Sequence, residues 1–273
     1  MLFQNKTVFI TGASRGIGKA IALRLAAEGA NIVIASKSTE ENPKLGGTIF
    51  SAAKEIENVG GKALPIQCDI RFEEQIENAV NQAISTFGGI DILVNNASAI
   101  SLTPTLQTES KRFDLMHDIN VRGTFLVSKH CIPHLAKSNQ AHILTLSPPV
   151  NLDVKWLYGH VAYTMSKYNM TMMALAFAEE FKKIPIASNT LWPRTTIATA
   201  AVKNLLGGDA LMQMSRKPEI LADAAFYILQ QEPKNCSGNN FIDDEVLKTA
   251  GITDLEKYAV TPNQPLFPDM FLD

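Results

Sequence analysis

The 273-residue sequence lacks a surplus of charge of either sign: 25 Lys and Arg stand against 27 Asp and Glu, for a formal net charge of −2. Without a basic excess there is no electrostatic reason to expect nucleic acid or an anionic membrane surface as a partner. Cysteine is scarce as well. Cys68, Cys131 and Cys236 are odd in number, far apart and free of CxxC or Cys/His spacing, which argues against a disulfide framework or a zinc site and fits a reduced, intracellular protein. His117, His130, His134, His142 and His160 show no ligand grouping either, so no metal is expected, and His160 alone is a candidate neighbour of an active site. No apolar run approaches the roughly 18 to 20 residues of a bilayer span. The longest, Tyr168 to Phe177, reads as a core helix. The N-terminus has no basic-then-apolar leader pattern, and Phe271-Leu272-Asp273 matches no peroxisomal or lipidation signal, so the expected location is the cytoplasm.

What is present is a globular composition, 46% hydrophobic and 19% charged, with short β-rich runs alternating with amphipathic stretches. That alternation predicts βαβ units around a parallel sheet. The expected strands are Thr7–Thr11, Asn31–Ala35, Lys62–Gln67, Ile92–Asn95, His142–Leu146, Ile186–Leu191 and Asn239–Ile242. Most are near-continuous apolar runs, as strands buried on both faces require. Ile17, Ile21 and Leu25 recur at helical spacing, as do Ile76, Val80 and Ile84, so each set lines one helix face toward the sheet. The fold class expected is α/β: a single Rossmann-type, doubly wound domain over residues 1–273, with about seven parallel strands and helices on both faces. A cofactor half runs to about residue 140, a catalytic and substrate half over about 141–246, and an irregular tail over about 247–273. Ser36 to Gly47 and the segment after Ile242, with Pro262, Pro265 and Pro268, break the short-loop rhythm. The latter is expected to wrap the domain or a neighbouring subunit.

Directly after the first strand comes Thr11-Gly12-Ala13-Ser14-Arg15-Gly16-Ile17-Gly18, leading into the first amphipathic helix. A glycine-rich turn at this place lets the backbone approach a pyrophosphate, which free N–H groups at the helix N-terminus then hold. The spacing is GxxxGxG. With Asn95-Asn96-Ala97-Ser98 ending the fourth strand, Asn120 in Ile119-Asn120-Val121 and Tyr163-Thr164-Met165-Ser166-Lys167, it resembles the short-chain dehydrogenase/reductase family across nearly the whole chain. Three further segments, Asn96 to Ile100, Ser147 to Leu152 and Leu191 to Thr195, are similar to a hydroxysteroid dehydrogenase-like branch of that family and its bacterial relatives. Animal members of the branch carry a sterol-carrier-like domain after this point, and the expectation here is the oxidoreductase domain without it.

Cofactor choice is read where the second strand ends, because an acid there pairs with a free ribose 2′-hydroxyl and repels a 2′-phosphate. This strand ends Ala35-Ser36-Lys37-Ser38 with no acid, and Lys37, Ser36 and Arg15 suit a phosphate through charge-assisted hydrogen bonds. NADP(H) is therefore expected as cofactor, held by Gly12, Ser14, Arg15, Gly16, Ile17, Gly18, Ser36 and Lys37; a bend of Glu40 or Glu41 into the site would favour NAD(H) instead. The resemblance implies that Asp69 contacts the adenine, that Asn95 and Ala97 line the path of ribose and nicotinamide, and that Lys167 holds the ribose.

Tyr163 and Lys167 share a helix face, and a neighbouring ammonium favours the phenolate. The pair can give a proton to a carbonyl under reduction, or take one in the reverse oxidation. The resemblance implies that Asn120 holds a water linking Lys167 to solvent; its alternative role is a local helix-distorting hydrogen bond. The family's serine after the fifth strand aligns with Pro148, and Ser147 stands one residue early, able to substitute only if the Pro148-Pro149 turn re-aims it. Arg194 in Pro193-Arg194-Thr195 stands where the family has glycine, and it either binds a phosphate or acidic substrate group or points to solvent. Apolar residues in Asn151 to His160, with Trp156 and Tyr158, and in Thr195 to Met214, with Leu205, Leu206, Leu211 and Met212, form either a hydrophobic lid or ordinary packing.

The functional expectation is an NADP(H)-dependent oxidoreductase acting on a small apolar or lipid-like carbonyl or secondary alcohol, with Tyr163, Lys167, Asn120 and Ser147 as the catalytic set. The resemblance implies a homodimer or homotetramer. The competing readings are an NADP(H)-binding sensor or scaffold with little catalysis, motivated by Pro148 and Arg194, and an NAD-dependent enzyme.

Overall fold

The computed structural model describes residues 1–272; Asp273, at the end of the expected tail, lies outside them. Seven strands form one sheet: β1 (Thr7–Thr11), β2 (Asn31–Ser36), β3 (Lys62–Gln67), β4 (Ile92–Asn95), β5 (His142–Leu146), β6 (Ala187–Trp192) and β7 (Asn240–Ile242). Their order is β3-β2-β1-β4-β5-β6-β7, and every pairing is parallel. The inner strands β1, β2, β4, β5 and β6 are buried along their whole length, which is why most of them read as near-continuous apolar runs; β6, with Ser188, Asn189 and Thr190, is the exception. β3 is an edge strand and only partly buried. Pro65, which cannot donate to a ladder, is accommodated there for that reason.

The helices are α1 (Gly16–Ala26), α2 (Ile49–Asn58), α3 (Glu73–Phe87), α4 (Ser110–Met116), α5 (Thr124–Leu135), α6 (Val154–Leu157), α7 (Val161–Glu180), α8 (Gly208–Gln213), α9 (Glu219–Leu229) and α10 (Asp243–Thr249). Strand residues alternate between two cores. Val8, Ile10, Ile32, Ile34, Val94 and Leu144 pack with α1, α2 and α9 on one face, and Phe9, Val33, Leu93 and Ile143 pack with α3, α5 and Phe177 of α7 on the other. Ile21 and Leu25 of α1 and Ile76 and Val80 of α3 are buried as their spacing predicts. Among the described residues no helix is long and apolar enough to cross a membrane.

The segment after β7 departs from the expectation. Its first residues form α10, because Asp243, Asp244 and Glu245 place negative charge in the first turn and Lys248 places positive charge in the last, both favourable to the helix dipole. The irregular part begins after that helix and wraps this domain itself: the Thr196 N–H donates to the Phe267 carbonyl at 3.0 Å and the Asp269 N–H to the Arg194 carbonyl at 3.1 Å.

Candidate active site

β1 and β4 are neighbours, but the chain runs outward from β1 toward β3 on one side and from β4 toward β7 on the other. At such a reversal the helices leave in opposite directions and open a crevice at the carboxyl ends of the strands. The glycine turn follows β1 and Asn95-Asn96-Ala97 follows β4, so both motifs face this crevice. The Thr11 hydroxyl oxygen accepts the N–H groups of Asn96 and Ala97, each at 3.0 Å, while Asn96 Nδ2 donates to the Thr11 and Gly12 carbonyls at 2.9 and 3.2 Å. Gly12 has a left-handed φ of +69°, and a Cβ on it would stand 3.1 Å from the Ala97 Cα. A Cβ on Gly18 would stand 2.9 Å from the Gly12 carbonyl. The backbone approach is thus as close as these glycines allow.

The site fits a dinucleotide. Asn95 gives its Nδ2 to Ser128 Oγ at 3.0 Å and leaves its Oδ1 buried with no protein partner, an acceptor available to a ligand. Thr199, which the sequence motifs did not single out, lies against the turn, 3.5 Å from where a Gly16 Cβ would be. Arg15 immediately precedes α1, and Ile17, in the first turn of the helix, is half-buried against the core.

At the end of β2, Ser36 Oγ is 3.1 Å from Ser14 Oγ, so two of the expected cofactor-binding residues meet. Lys37 is exposed beside them. The Arg15 guanidinium donates to the Gly46 and Gly47 carbonyls at 2.6 and 2.8 Å and so pins the 37–48 loop over the turn. Asp69 is held by Arg71, through Nε at 3.0 Å and Nη2 at 2.6 Å. Burial pushes its carboxyl up, but the Arg71 hydrogen bonds and the charges of Arg71 and Lys37 outweigh this and hold it below its ordinary range. The side chain expected at the adenine is therefore committed to a cation two residues away.

On α7, Tyr163 and Lys167 are both buried. The Lys167 ammonium donates to the Leu146 carbonyl at 2.5 Å and lies 5.1 Å from the Trp192 ring centroid, so it is anchored at the carboxyl ends of β5 and β6. Burial lowers its pKa to about 7, opposed by the Asp269 charge, and burial together with Asp269 pushes the Tyr163 phenol up. Asn120 is fully buried in a π-helical stretch, His117–Gly123, between α4 and α5. Its Oδ1 accepts the Ala99 N–H at 2.8 Å, and its Nδ2 donates to the Ala99 carbonyl and to Ser166 Oγ, each at 2.9 Å. The helix is π-distorted around Asn120, but its side chain bonds to Ala99 and Ser166, distant in sequence, and not to its own helix, and its side-chain donors are used by protein.

Ser147 is also fully buried, but its Oγ lies 2.9 Å from Thr171 Oγ1, which itself donates to the Pro148 carbonyl at 2.6 Å. Thr171 is one turn beyond Lys167, on the side away from Tyr163, so the Pro148-Pro149 turn packs Ser147 against the helix. Arg194 follows neither expectation. Its guanidinium pairs with Asp244 at 3.2 Å and with Glu245, both in the first turn of α10, while its N–H donates to Asp243 Oδ1 at 2.9 Å. These acids precede no recognisable motif, and only the packing of α10 beside β6 brings them to it.

Around Tyr163 lies a third apolar cluster of Met116, Ala162, Tyr168, Trp192, Ile242 and Phe271, with Trp156 and Leu157 packed against it. Of the two segments expected to flank the site, Trp156 faces this cluster, whereas Leu152, Val154, Tyr158, Leu205 and Leu206 are exposed. His160 lies edge-on to the Phe271 ring, and its Nδ1 is 2.9 Å from Thr164 Oγ1.

The chain matches the short chain dehydrogenase family over residues 6–207. It is 60% identical over 267 residues to hydroxysteroid dehydrogenase-like protein 2 of Xenopus tropicalis, an alignment covering 98% of this chain and 63% of that protein. The chain thus spans less than two thirds of that relative's length. Among solved structures, a chain from Xanthomonas campestris assigned as a dehydrogenase is 52% identical with a TM-score of 0.97 and full coverage of both chains, 100% and 100%. A short chain dehydrogenase from Mycobacterium thermoresistibile is 53% identical with a TM-score of 0.94, covering 100% of this chain and 96% of its own.

Proposed function

The chain belongs to the short-chain dehydrogenase family, and we propose that it is an NADP(H)-dependent oxidoreductase interconverting a carbonyl and a secondary alcohol on a small apolar or lipid-like substrate. The observation that carries this reading is the placement of Lys167, anchored to the Leu146 carbonyl at the carboxyl end of the strand next to β4, with Tyr163 one helical turn away in the apolar cluster that includes Trp192. The nicotinamide, when bound, supplies the hydride transfer. The turn from Gly12 to Gly18 holds the pyrophosphate through backbone N–H groups, Ser14, Ser36 and Lys37 take the 2′-phosphate, Asn95 and Ala97 line the crevice, and Lys167 takes the ribose.

The protein's own chemistry is a proton transfer. Burial holds the proton on the Tyr163 hydroxyl in the resting site, which suits a donor to the oxygen of a carbonyl under reduction. As that proton leaves, the Lys167 ammonium on the same helix face offsets the phenolate charge. Asn120 acts through Ser166 and Ala99 by fixing the helix that carries both groups. The aromatic cluster at Tyr163 and the exposed Leu152, Val154, Leu205 and Leu206 support an apolar substrate. Exposed Phe113, Phe125, Met165 and Met172 on α4, α5 and α7 support assembly as a homodimer or homotetramer.

A second reading, cofactor binding with little catalysis, is favoured by one observation: the Ser147 hydroxyl packs against Thr171 and not Tyr163. A panel of aldehydes, ketones and secondary alcohols, followed at the nicotinamide absorbance band, decides between them. Turnover of an apolar ketone with NADPH is expected. NADPH binding with no turnover of any panel member would favour the second reading.

A further inference from the structure

The tail from Phe267 to Leu272 is fastened along the wall of the site by its backbone. The Phe267 N–H donates to the Met214 carbonyl at 2.8 Å, Pro268 bridges Thr195 in antiparallel fashion, and the Trp192 indole N–H donates to the Met270 carbonyl at 3.0 Å. These bonds aim Phe271 inward. It is 1% exposed and has a φ of +74°, a left-handed conformation that a residue with a Cβ adopts only where packing compensates its cost. The compensation is aromatic. The Phe271 ring centroid lies 5.3 Å from Tyr168, 6.0 Å from both Trp156 and Trp192, and 6.3 Å from both His160 and Tyr163. One side chain of the tail thus fills the space enclosed by α6, the first turns of α7 and the end of β6, next to the Tyr163 ring.

We infer that Phe271 is a specificity-determining residue, whose ring sets the upper size of the apolar carbonyl or alcohol that reaches the Tyr163 hydroxyl. The inference rests on the oxidoreductase reading above. On this inference a single-ring ketone reaches the hydroxyl past the phenyl group, whereas a fused two-ring ketone competes with the ring for the same volume. Replacing the ring with a smaller side chain converts filled apolar volume into binding volume with aromatic walls, which favours the larger ligand.

Both tryptophans of the chain, Trp156 and Trp192, touch Phe271, so intrinsic fluorescence reports ligand entry at this place without requiring turnover. The experiment titrates NADP(H)-saturated wild type, Phe271→Ala and Phe271→Leu with cyclohexanone and with 2-tetralone, and follows NADPH consumption in parallel. The Leu variant keeps an apolar anchor should the Ala variant fail to fold. The expected result is a 2-tetralone to cyclohexanone affinity ratio raised about tenfold in Phe271→Ala, and by a smaller factor in Phe271→Leu. A ratio unchanged in both variants, or no fluorescence response to either ketone in any of the three proteins, would overturn the inference. Ketone binding with the expected shift but no NADPH consumption would leave the size limit standing and reject the oxidoreductase reading.

Discussion

Asn120 Nδ2 donates to Ser166 Oγ at 2.9 Å, and Ser166 in turn donates to the Tyr163 carbonyl at 2.8 Å. A residue in the π-helical stretch before α5 is therefore hydrogen-bonded into the turn of α7 between Tyr163 and Lys167. The same asparagine clamps both backbone groups of Ala99, in the segment following the Asn95-Asn96-Ala97 motif. Asn120→Ala strands these buried groups and should cost about 3 kcal/mol of stability, with Ser166→Ala costing about 1 kcal/mol. Urea denaturation measures both; midpoints equal to wild type would contradict the clamp.

Cofactor selectivity should respond to Lys37. The side chain is exposed at the end of β2, so its interaction with a 2′-phosphate is screened. Lys37→Ala is expected to weaken NADPH binding roughly fivefold to tenfold and to leave NADH binding nearly unchanged. Calorimetric titration with each cofactor checks this, and an equal loss for both would remove Lys37 from the phosphate site.

The glycine turn makes a steric prediction. Gly18→Ala would press a methyl group toward the Gly12 carbonyl and the Asn96 amide, so the turn must shift. A loss of about 1–3 kcal/mol in stability is expected, together with weakened cofactor binding. A variant with wild-type NADPH affinity would show that the turn is looser than its contacts imply.

His142 should dominate part of the acid limb of stability. It is fully buried on β5, its Nε2 lies 3.0 Å from the Gln231 carbonyl, and its Nδ1 has no partner. Burial lowers its pKa from 6.5 to about 4, opposed by the Gln231 hydrogen bond. The unfolded chain therefore binds more protons between these values. The stability from this group is complete above about pH 6.5 and is lost as pH falls through about 4, amounting to roughly 3 kcal/mol. His142→Asn should flatten that part of the curve of unfolding free energy against pH; an unaltered slope would reject the assignment.

Much of this molecule was legible locally. Strands such as Thr7–Thr11 and His142–Leu146 announce themselves because burial on both faces favours mainly apolar, β-branched runs, and the glycine turn and Tyr163–Lys167 pair are short motifs whose spacing is itself the geometry. What was not legible depends on contacts distant in sequence. Arg194 read as either a ligand for an acidic group or a solvent-facing cation, because its partners Asp244 and Glu245 are brought to it only by β7 and α10. Phe271 read as part of an irregular tail, since nothing near it in the chain signals that Trp156, Tyr163, Tyr168 and Trp192 will surround it. Ser147 stood in the right stretch of sequence, but the Pro148-Pro149 turn directs it to Thr171. α10 did carry a local signal, three acids in its first turn, which the prolines further along obscured.

The most direct test compares wild type with Tyr163→Phe, measuring NADPH affinity and the rate of NADPH consumption with an apolar ketone on the same preparations. The phenyl ring preserves the packing with Phe271 and removes only the hydroxyl. NADPH affinity within about twofold of wild type and a rate reduced by roughly a thousandfold are expected for loss of a positioned proton donor. A variant that binds NADPH and still reduces the ketone at the wild-type rate would contradict the assignment of Tyr163.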